Sequence, residues 1–185
     1  MPQPDPSAFR ERIDALVGKP PGGSGLGVAP DPVNQPMIRH WAAAFEDANP
    51  VYTDQGAAER SRFGQIVAPP MMLQTWTMAT PIITGIAERG GAPTELTGES
   101  FMTVFDEAGF RGTLAVGSEF EIERHLHLGE VVSSRTVVES ISDEKQTRLG
   151  PGYFVTWVST FTDESGAVVG RQRFRVLKFK PAGAE

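Results

Sequence analysis

The chain has no cysteine among its 185 residues, which excludes disulfide bonds, thiolate metal sites and cysteine catalysis. Basic residues are in deficit, with 17 lysines and arginines against 23 aspartates and glutamates, and the formal net charge is −6. We therefore do not expect a nucleic-acid-binding surface. An anionic ligand remains compatible with this composition, because a local basic patch can coexist with a negative total charge.

Targeting and membrane signals are also lacking. The first residues, Met1 to Pro6, have neither a basic flank nor an apolar core, so we expect no signal peptide. The most apolar stretch, Met71 to Ala87, is interrupted by Gln74, four threonines and Pro81, whereas a membrane-spanning helix needs about 20 mostly apolar residues. We expect a cytoplasmic protein with one main domain, since this length suits a single core.

Helical periodicity marks the first half of the chain and strand periodicity the second. Residues 1–30 are predicted to hold an N-terminal helix and a Gly/Pro-rich connector with little capacity for regular structure. Residues 31–180 are predicted to form the main domain, with a long buried helix over Pro70–Glu88 that Pro81 kinks or divides. Strands are predicted over Phe101–Phe105, Glu119–Leu128, Val131–Ile141, Tyr153–Phe161 and Val168–Phe179. This order of elements indicates an α+β fold with an antiparallel sheet.

The segment Asp47-Ala-Asn-Pro-Val-Tyr52 carries the most information. From its residues alone it is a proline-containing helix exit, in which Asp47 and Asn49 accept hydrogen bonds from their own backbone. It also resembles the hydratase motif of MaoC-like (R)-specific enoyl-CoA hydratases, which reads Asp, any residue, Asn-Pro, an aliphatic residue and His. Tyr52 stands in the place of the catalytic histidine. Because a phenol titrates only near ~10, Tyr52 is a poor general base at pH 7.

The resemblance continues through Phe63-Gly64 and Val67-Ala-Pro-Pro70, and it covers residues 31–180. It implies a single hot-dog fold, an antiparallel sheet wrapped around a long central helix. Two further stretches, Asp31–Trp41 and Ala68–Trp76, resemble the larger subunits of heteromeric steroid enoyl-CoA hydratases from actinobacterial cholesterol side-chain degradation. In those proteins a further domain usually follows the hot-dog part, and residues 181–185 resemble the start of a linker.

The same resemblance implies the partner and the chemistry. A small MaoC-like subunit would supply the catalytic Asp and His, in a heterodimer that assembles to a heterotetramer. The substrate would be an α,β-unsaturated steroid acyl-CoA, with no cofactor beyond the CoA thioester itself. Asp47, Asn49 and Tyr52 would then be a degenerate motif with no intact catalytic set. Two alternatives remain open, a homodimeric hydratase or dehydratase that uses Asp47 with Tyr52, and a non-enzymatic acyl-CoA-binding scaffold.

Two groups of side chains are candidates for binding the substrate. Four residues of the predicted long helix suit a flat sterol, although they could equally pack the core: Met71, Met72, Thr75 and Trp76. Three arginines on one face of the last predicted strand suit CoA phosphates, although an edge strand uses the same residues against aggregation: Arg171, Arg173 and Arg175. No metal site is expected, because His125 and His127 fit a solvated strand face better than a ligand set.

Overall fold

The computed structural model of the chain describes residues 6–78, 82, 84, 85 and 100–181. These residues form α-helices, two 3₁₀ helices (η1 and η2) and strands. In chain order they are α1 (Pro6–Asp14), β1 (Leu26–Val28), α2 (Gln35–Ala44), η1 (Pro50–Tyr52), α3 (Gln55–Arg60), η2 (Pro70–Thr77), α4 (Phe101–Glu107), β2 (Gly112–Ile122), β3 (Ser133–Ile141), β4 (Lys145–Thr147), β5 (Gly150–Thr162) and β6 (Val168–Phe179).

The strands form one antiparallel sheet in the order β1-β3-β5-β6-β2, and the short β4 pairs with the start of β5. This confirms the predicted α+β class. Because β6 lies between β5 and β2, the alternative that its arginines protect an edge strand is wrong. The two edge strands are β1 and β2; among the described residues β2 pairs only with β6, and most of its residues are exposed.

One face of the sheet, here called the inner face, packs against the helices in two cores. Alternate residues of β5 define this face, namely Val155, Trp157, Ser159 and Phe161. The first core surrounds η2 and includes Ile38, Tyr52, Ala58, Val67, Met72, Trp76, Leu126 and Phe161. The second core lies under α1 and α4 and includes Phe9, Ile13, Val104, Phe105, Phe110, Val138, Tyr153, Val155 and Val176. The N-terminal helix is therefore part of the packed body.

The helix predicted over Pro70–Glu88 is shorter in the structure. The helix begins at Pro70 as predicted, but it is a 3₁₀ helix and ends at Thr77, since Met78 has an extended backbone with ψ of 127°. A proline ring clashes with the carbonyl four residues earlier in a helix, and Pro81 stands in that relation to Thr77. Positions 79–81, 83 and 86–88 of the predicted helix lie outside the described residues.

Other segments also differ from their predictions. Phe101–Phe105, predicted as a strand, begins α4, because Ser100 Oγ accepts a hydrogen bond from Thr103 N at 3.2 Å and caps the helix. The predicted connector contains β1, so that expectation is wrong for these three residues. The predicted strand over Glu119–Leu128 is displaced to Gly112–Ile122, whereas Val168–Phe179 is confirmed. None of the helices in the described ranges is long and apolar enough to cross a membrane.

Candidate functional site

The motif segment Asp47–Tyr52 forms a tight turn directly after α2. The chain leaves the helix through Glu46, whose φ of 54° lies in the left-handed region. Asp47 Oδ1 then accepts a hydrogen bond from Asn49 N at 3.1 Å, and Asn49 Oδ1 accepts one from Val51 N at 3.3 Å. The predicted side-chain-to-backbone bonds are therefore confirmed, and both polar side chains of the motif stabilise the turn itself.

Tyr52, at the position of the motif histidine, is a buried member of the first core with 8% of its surface exposed. Burial raises the pKa of its phenol above the ordinary value of about 10, and the charge of Asp47 raises it further. A hydrogen bond with the Asn49 side chain opposes these two effects but is the smallest cause. The phenol is therefore neutral at physiological pH, and it cannot serve as a general base there.

The motif turn is fixed firmly in the fold. Gln35 Nε2, at the start of α2, donates a hydrogen bond to the Tyr52 carbonyl oxygen at 2.8 Å. Ala58 of α3 is fully buried in the first core beside it. The turn thus brings Asp47, Asn49 and Tyr52 together as the sequence predicted, but hydration needs a group that takes a proton from water. The neutral phenol at the histidine position cannot take that proton.

A cleft of about 410 Å³ opens on the inner face. It lies between the sheet, η2 and the glycine-rich segment Pro21–Gly27. Its other lining residues are Gln74, Thr77, Met78, Ser134, Thr136, Trp157, Ser159, Phe161 and Gln172. Pockets that bind small molecules usually enclose about 300–1,000 Å³, so the cleft is large enough for a bulky organic ligand.

The floor of the cleft includes three polar residues, here called the polar row: Thr136, Ser159 and Gln172. They lie side by side on β3, β5 and β6, because Thr136 pairs with Ser159 and Ser159 with Gln172 in the strand register. Ser159 and Gln172 are 7% and 3% exposed. Burying a hydroxyl or amide without a partner costs about 1–3 kcal/mol, so a buried row of this kind requires hydrogen-bond partners.

The polar row and the cleft were not predicted from the sequence. A signal was present in strand alternation, since Ser159 lies between Trp157 and Phe161 on the same face and Gln172 precedes Phe174 there. The predicted binding residues on β6 were the arginines, which alternate with these positions and lie on the opposite face. The glycine-rich segment, predicted as a connector, lines the cleft and packs closely on β3: a Cβ on Gly27 would lie 2.7 Å from Ser134 Oγ.

The predicted substrate residues lie on η2, but they line its other faces. Met72 and Trp76 are buried in the first core, Met71 is exposed and Thr75 is half-buried. The neighbouring residues Gln74, Thr77 and Met78 line the cleft instead. The structure therefore supports the alternative of core packing for Met72 and Trp76, while the element chosen from the sequence does border the cleft.

The three predicted CoA-binding arginines lie on the outer face of the sheet, opposite the cleft, and each has a protein partner. Arg171 Nη1 contacts Glu123 at 3.0 Å, and Arg173 makes two hydrogen bonds of 2.8 Å to Glu139. Arg175 Nε donates to a threonine hydroxyl on β5. A CoA phosphate would have to displace these partners, and the CoA contact stays a prediction.

His125 and His127 do not share a strand face, because β2 ends at Ile122. The His125 ring packs on Phe63 at 4.6 Å between centroids, and burial, with the charge of Arg62, lowers the pKa of His125. Across the described ranges, no group of three or more His, Asp or Glu side chains is arranged to hold a metal ion.

Residues 23–172 match the family described as FAS1-like, dehydratase domain region. A probable enoyl-CoA hydratase alpha subunit of Thermomonospora curvata is 42% identical over 178 residues, which is 96% of this chain and 54% of that protein. The 3-oxo-4,17-pregnadiene-20-carboxyl-CoA hydratase alpha subunit of Mycobacterium tuberculosis is 39% identical over 168 residues, 90% of this chain and 51% of that protein. The chain spans about half the length of these curated relatives.

A solved structure is similar to this chain over nearly its whole length. The crystal structure of the ChsH1-ChsH2 complex from Mycobacterium tuberculosis contains a chain that is 34% identical and superposes with a TM-score of 0.80. The superposition covers 96% of this chain and 99% of that chain. The protein therefore belongs to the FAS1-like dehydratase-domain family and has its MaoC-like hot-dog fold.

Proposed function

We propose that this chain is the non-catalytic, substrate-accommodating part of a heteromeric MaoC-like enoyl-CoA hydratase. In this proposal a small MaoC-like partner supplies the Asp and His that activate water. The complex adds water across the double bond of an α,β-unsaturated acyl-CoA, and it uses no cofactor besides the CoA of the substrate. The alpha-subunit names of the two curated relatives support this assignment.

The observation that carries the proposal is the state of Tyr52. The motif turn is retained with its hydrogen bonds, but its catalytic position holds a buried neutral phenol. Hydration needs one acid–base set for each substrate. A partner with an intact motif can provide that set, and the half described here is then free to hold the acyl group.

The size and the lining of the cleft favour a bulky acyl group as its ligand. The half-buried Trp157 and the buried Phe161 line the cleft, and the volume of about 410 Å³ lies within the range of small-molecule pockets. The Mycobacterium tuberculosis relative is named for a pregnadiene carboxyl-CoA, which is a steroid thioester. We propose a steroid side-chain enoyl-CoA as the substrate, with its ring system in the cleft.

The exposed edge of β2 supports the proposal that a partner subunit binds at this edge of the sheet. The strand is 11 residues long, and its outer edge has no pairing strand among the described residues. Leu114 and Val116 are 46% and 42% exposed. Long exposed edge strands with apolar residues favour pairing with another chain, and we propose that the small subunit adds its own sheet here.

Hydration of a steroid enoyl-CoA tests the proposal, followed by the loss of ultraviolet absorbance of the conjugated thioester. The assay is run with this chain alone, with a short MaoC-like partner alone and with the two co-expressed. We expect turnover only by the co-expressed pair, and replacing the partner's motif histidine by alanine should abolish it. Turnover by this chain alone would contradict the proposal.

The alternatives give different results in the same assay. In the proposed complex, Asp47→Asn should leave turnover within about twofold, because the side chain stabilises a turn and activates no water. A homodimeric enzyme that uses Asp47 with Tyr52 would lose its activity in that variant. A non-enzymatic scaffold would bind the thioester without turnover in every combination.

A further inference from the structure

The polar row lies on the inner face directly beside a level of apolar side chains. On that side the strand register brings Val138, Trp157 and Phe174 together, and on the other side Phe161 lies between Ser134 and Gly170. Thr136, Ser159 and Gln172 themselves line the cleft. A sheet face that only packs a core would bury apolar side chains at this level as well. The placement of the polar row under an open cleft therefore indicates a ligand contact.

The hydrogen bonds within the row leave some of its groups unused. Thr136 Oγ1 and Ser159 Oγ lie 2.8 Å apart, so one hydroxyl donates to the other and the acceptor keeps its own hydrogen. Gln172 Nε2 donates both of its hydrogens, to Gln74 Oε1 at 2.8 Å and to Ser118 Oγ at 2.9 Å. Within the described part of the chain no bond uses the remaining hydroxyl hydrogen or Gln172 Oε1. The row thus offers one donor and one acceptor to the cleft.

We infer that the polar row binds an oxygen substituent, a ketone or a hydroxyl, on the ring part of the acyl group. The inference rests on the proposed function, in which the thioester end reaches the partner's acid–base pair and the ring end of the substrate lies in the cleft. A ketone would accept from the free hydroxyl hydrogen, and a hydroxyl could also donate to Gln172 Oε1. The row would then select oxygenated polycyclic acyl groups over hydrocarbon ones of the same shape.

Trp157 and Phe161 make this selection effective. Their aromatic rings flank Ser159 on β5, and Trp157 packs on Phe174 at 5.1 Å between centroids. Flat apolar walls on both sides of the row exclude water once a ring system fills the cleft. A ligand without an oxygen would then leave the row unpaired, and sites built around a hydrogen bond discriminate strongly against such analogues.

The test uses two enoyl-CoA thioesters with the same ring skeleton, one carrying a ring ketone and one without it. Their binding to the co-expressed complex is measured by titration calorimetry, and their hydration is measured separately. The double variant Thr136→Val/Ser159→Ala removes both hydroxyls. Thr160→Val, next in sequence but on the outer face of β5, is the matched control.

We expect the unaltered complex to bind the ketone thioester at least tenfold more tightly than its deoxygenated analogue. The double variant should lose that preference through weaker ketone binding, while its affinity for the analogue stays within about threefold and so reports intact folding. Thr160→Val should keep the preference. Equal binding of the two thioesters by the unaltered complex would overturn the inference, as would equal weakening of both in the double variant. Absence of hydration with the preference intact would overturn the proposed function alone.

Discussion

A fully buried lysine joins α4 to the sheet, and removing its charge partner should destabilise the protein strongly. Lys178 is 0% exposed, and its Nζ contacts Asp106 Oδ1 at 2.6 Å, Thr113 Oγ1 at 2.9 Å and Met102 Sδ at 3.8 Å. Removing one partner of a buried ion pair costs about 3–5 kcal/mol, because the other charge stays buried without compensation. The Asp106 side chain is 35% exposed, so water at the carboxylate reduces this cost.

We expect Asp106→Asn to lower the free energy of unfolding by about 2–3 kcal/mol. The amide keeps an oxygen near Lys178 Nζ, so the change removes charge and little volume. For a chain of this size, 1 kcal/mol corresponds to about 2–4 °C in Tm, and Tm should fall by roughly 5–10 °C. Thermal unfolding followed by circular dichroism, with urea titration as a second measure, gives both quantities.

The neighbouring residue of α4 provides the control. Glu107 Oε2 contacts Arg12 Nη1 at 2.7 Å, almost the same distance, but these side chains are 55% and 40% exposed. Exposed pairs contribute about 0–1 kcal/mol, so Glu107→Gln should shift Tm by no more than a few degrees. Equal shifts in Asp106→Asn and Glu107→Gln would refute the reasoning that burial of Lys178 sets the cost.

Three other changes test the site and its surroundings. Tyr52→Phe should keep turnover and the pH–rate profile of the complex unchanged between about pH 6 and 9, because the raised pKa keeps the phenol neutral. The contribution of the neutral phenol to folding stability is full below about pH 10 and is lost only at higher pH. If Arg173 binds a CoA phosphate, Arg173→Gln should raise the KM for acyl-CoA severalfold, and Glu139→Gln, which removes the shorter of its two ion pairs, should lower the KM. Unchanged KM in both variants would exclude the contact. Gly27→Val should destabilise the fold by about 1–3 kcal/mol in thermal unfolding, because the new Cβ would lie 2.7–3.2 Å from atoms of β3 and η2. Gly117→Ala should leave the stability unchanged, because no heavy atom lies within 4 Å of a Cβ there.

The parts that the sequence predicted well are those where local chemistry decides the structure. In the Asp47–Tyr52 turn, the Asx side chains and Pro50 act within a few residues, so the turn could be predicted without its surroundings. Strand β6 carries arginines at alternate positions, 171, 173 and 175, between uncharged residues, and its bounds were predicted correctly. The family resemblance then provided the fold class that periodicity alone left open.

The parts that were missed depend on tertiary contacts or on competing local signals. Phe101–Phe105 is rich in strand-forming aromatics, but the Ser100 cap and burial at spacings of three and four make it helical. The end of η2 at Thr77 required weighing Pro81 against a strongly apolar pattern. Strand alternation could place Ser159 and Gln172 on the inner face, but the polar row itself exists only when β3, β5 and β6 lie side by side.

The loss of the motif histidine and the opening of the cleft are connected through η2. Tyr52 packs in the first core with Met72 and Trp76, which lie on the buried face of that helix. The other face of the same helix, through Gln74 and Thr77, forms a wall of the cleft. A large apolar ring at position 52 therefore helps to hold the wall in place, whereas a histidine there would bury a titratable group among apolar side chains. If a partner supplies the acid–base pair, as proposed, position 52 needs no histidine, and the tyrosine there can support the wall of the cleft.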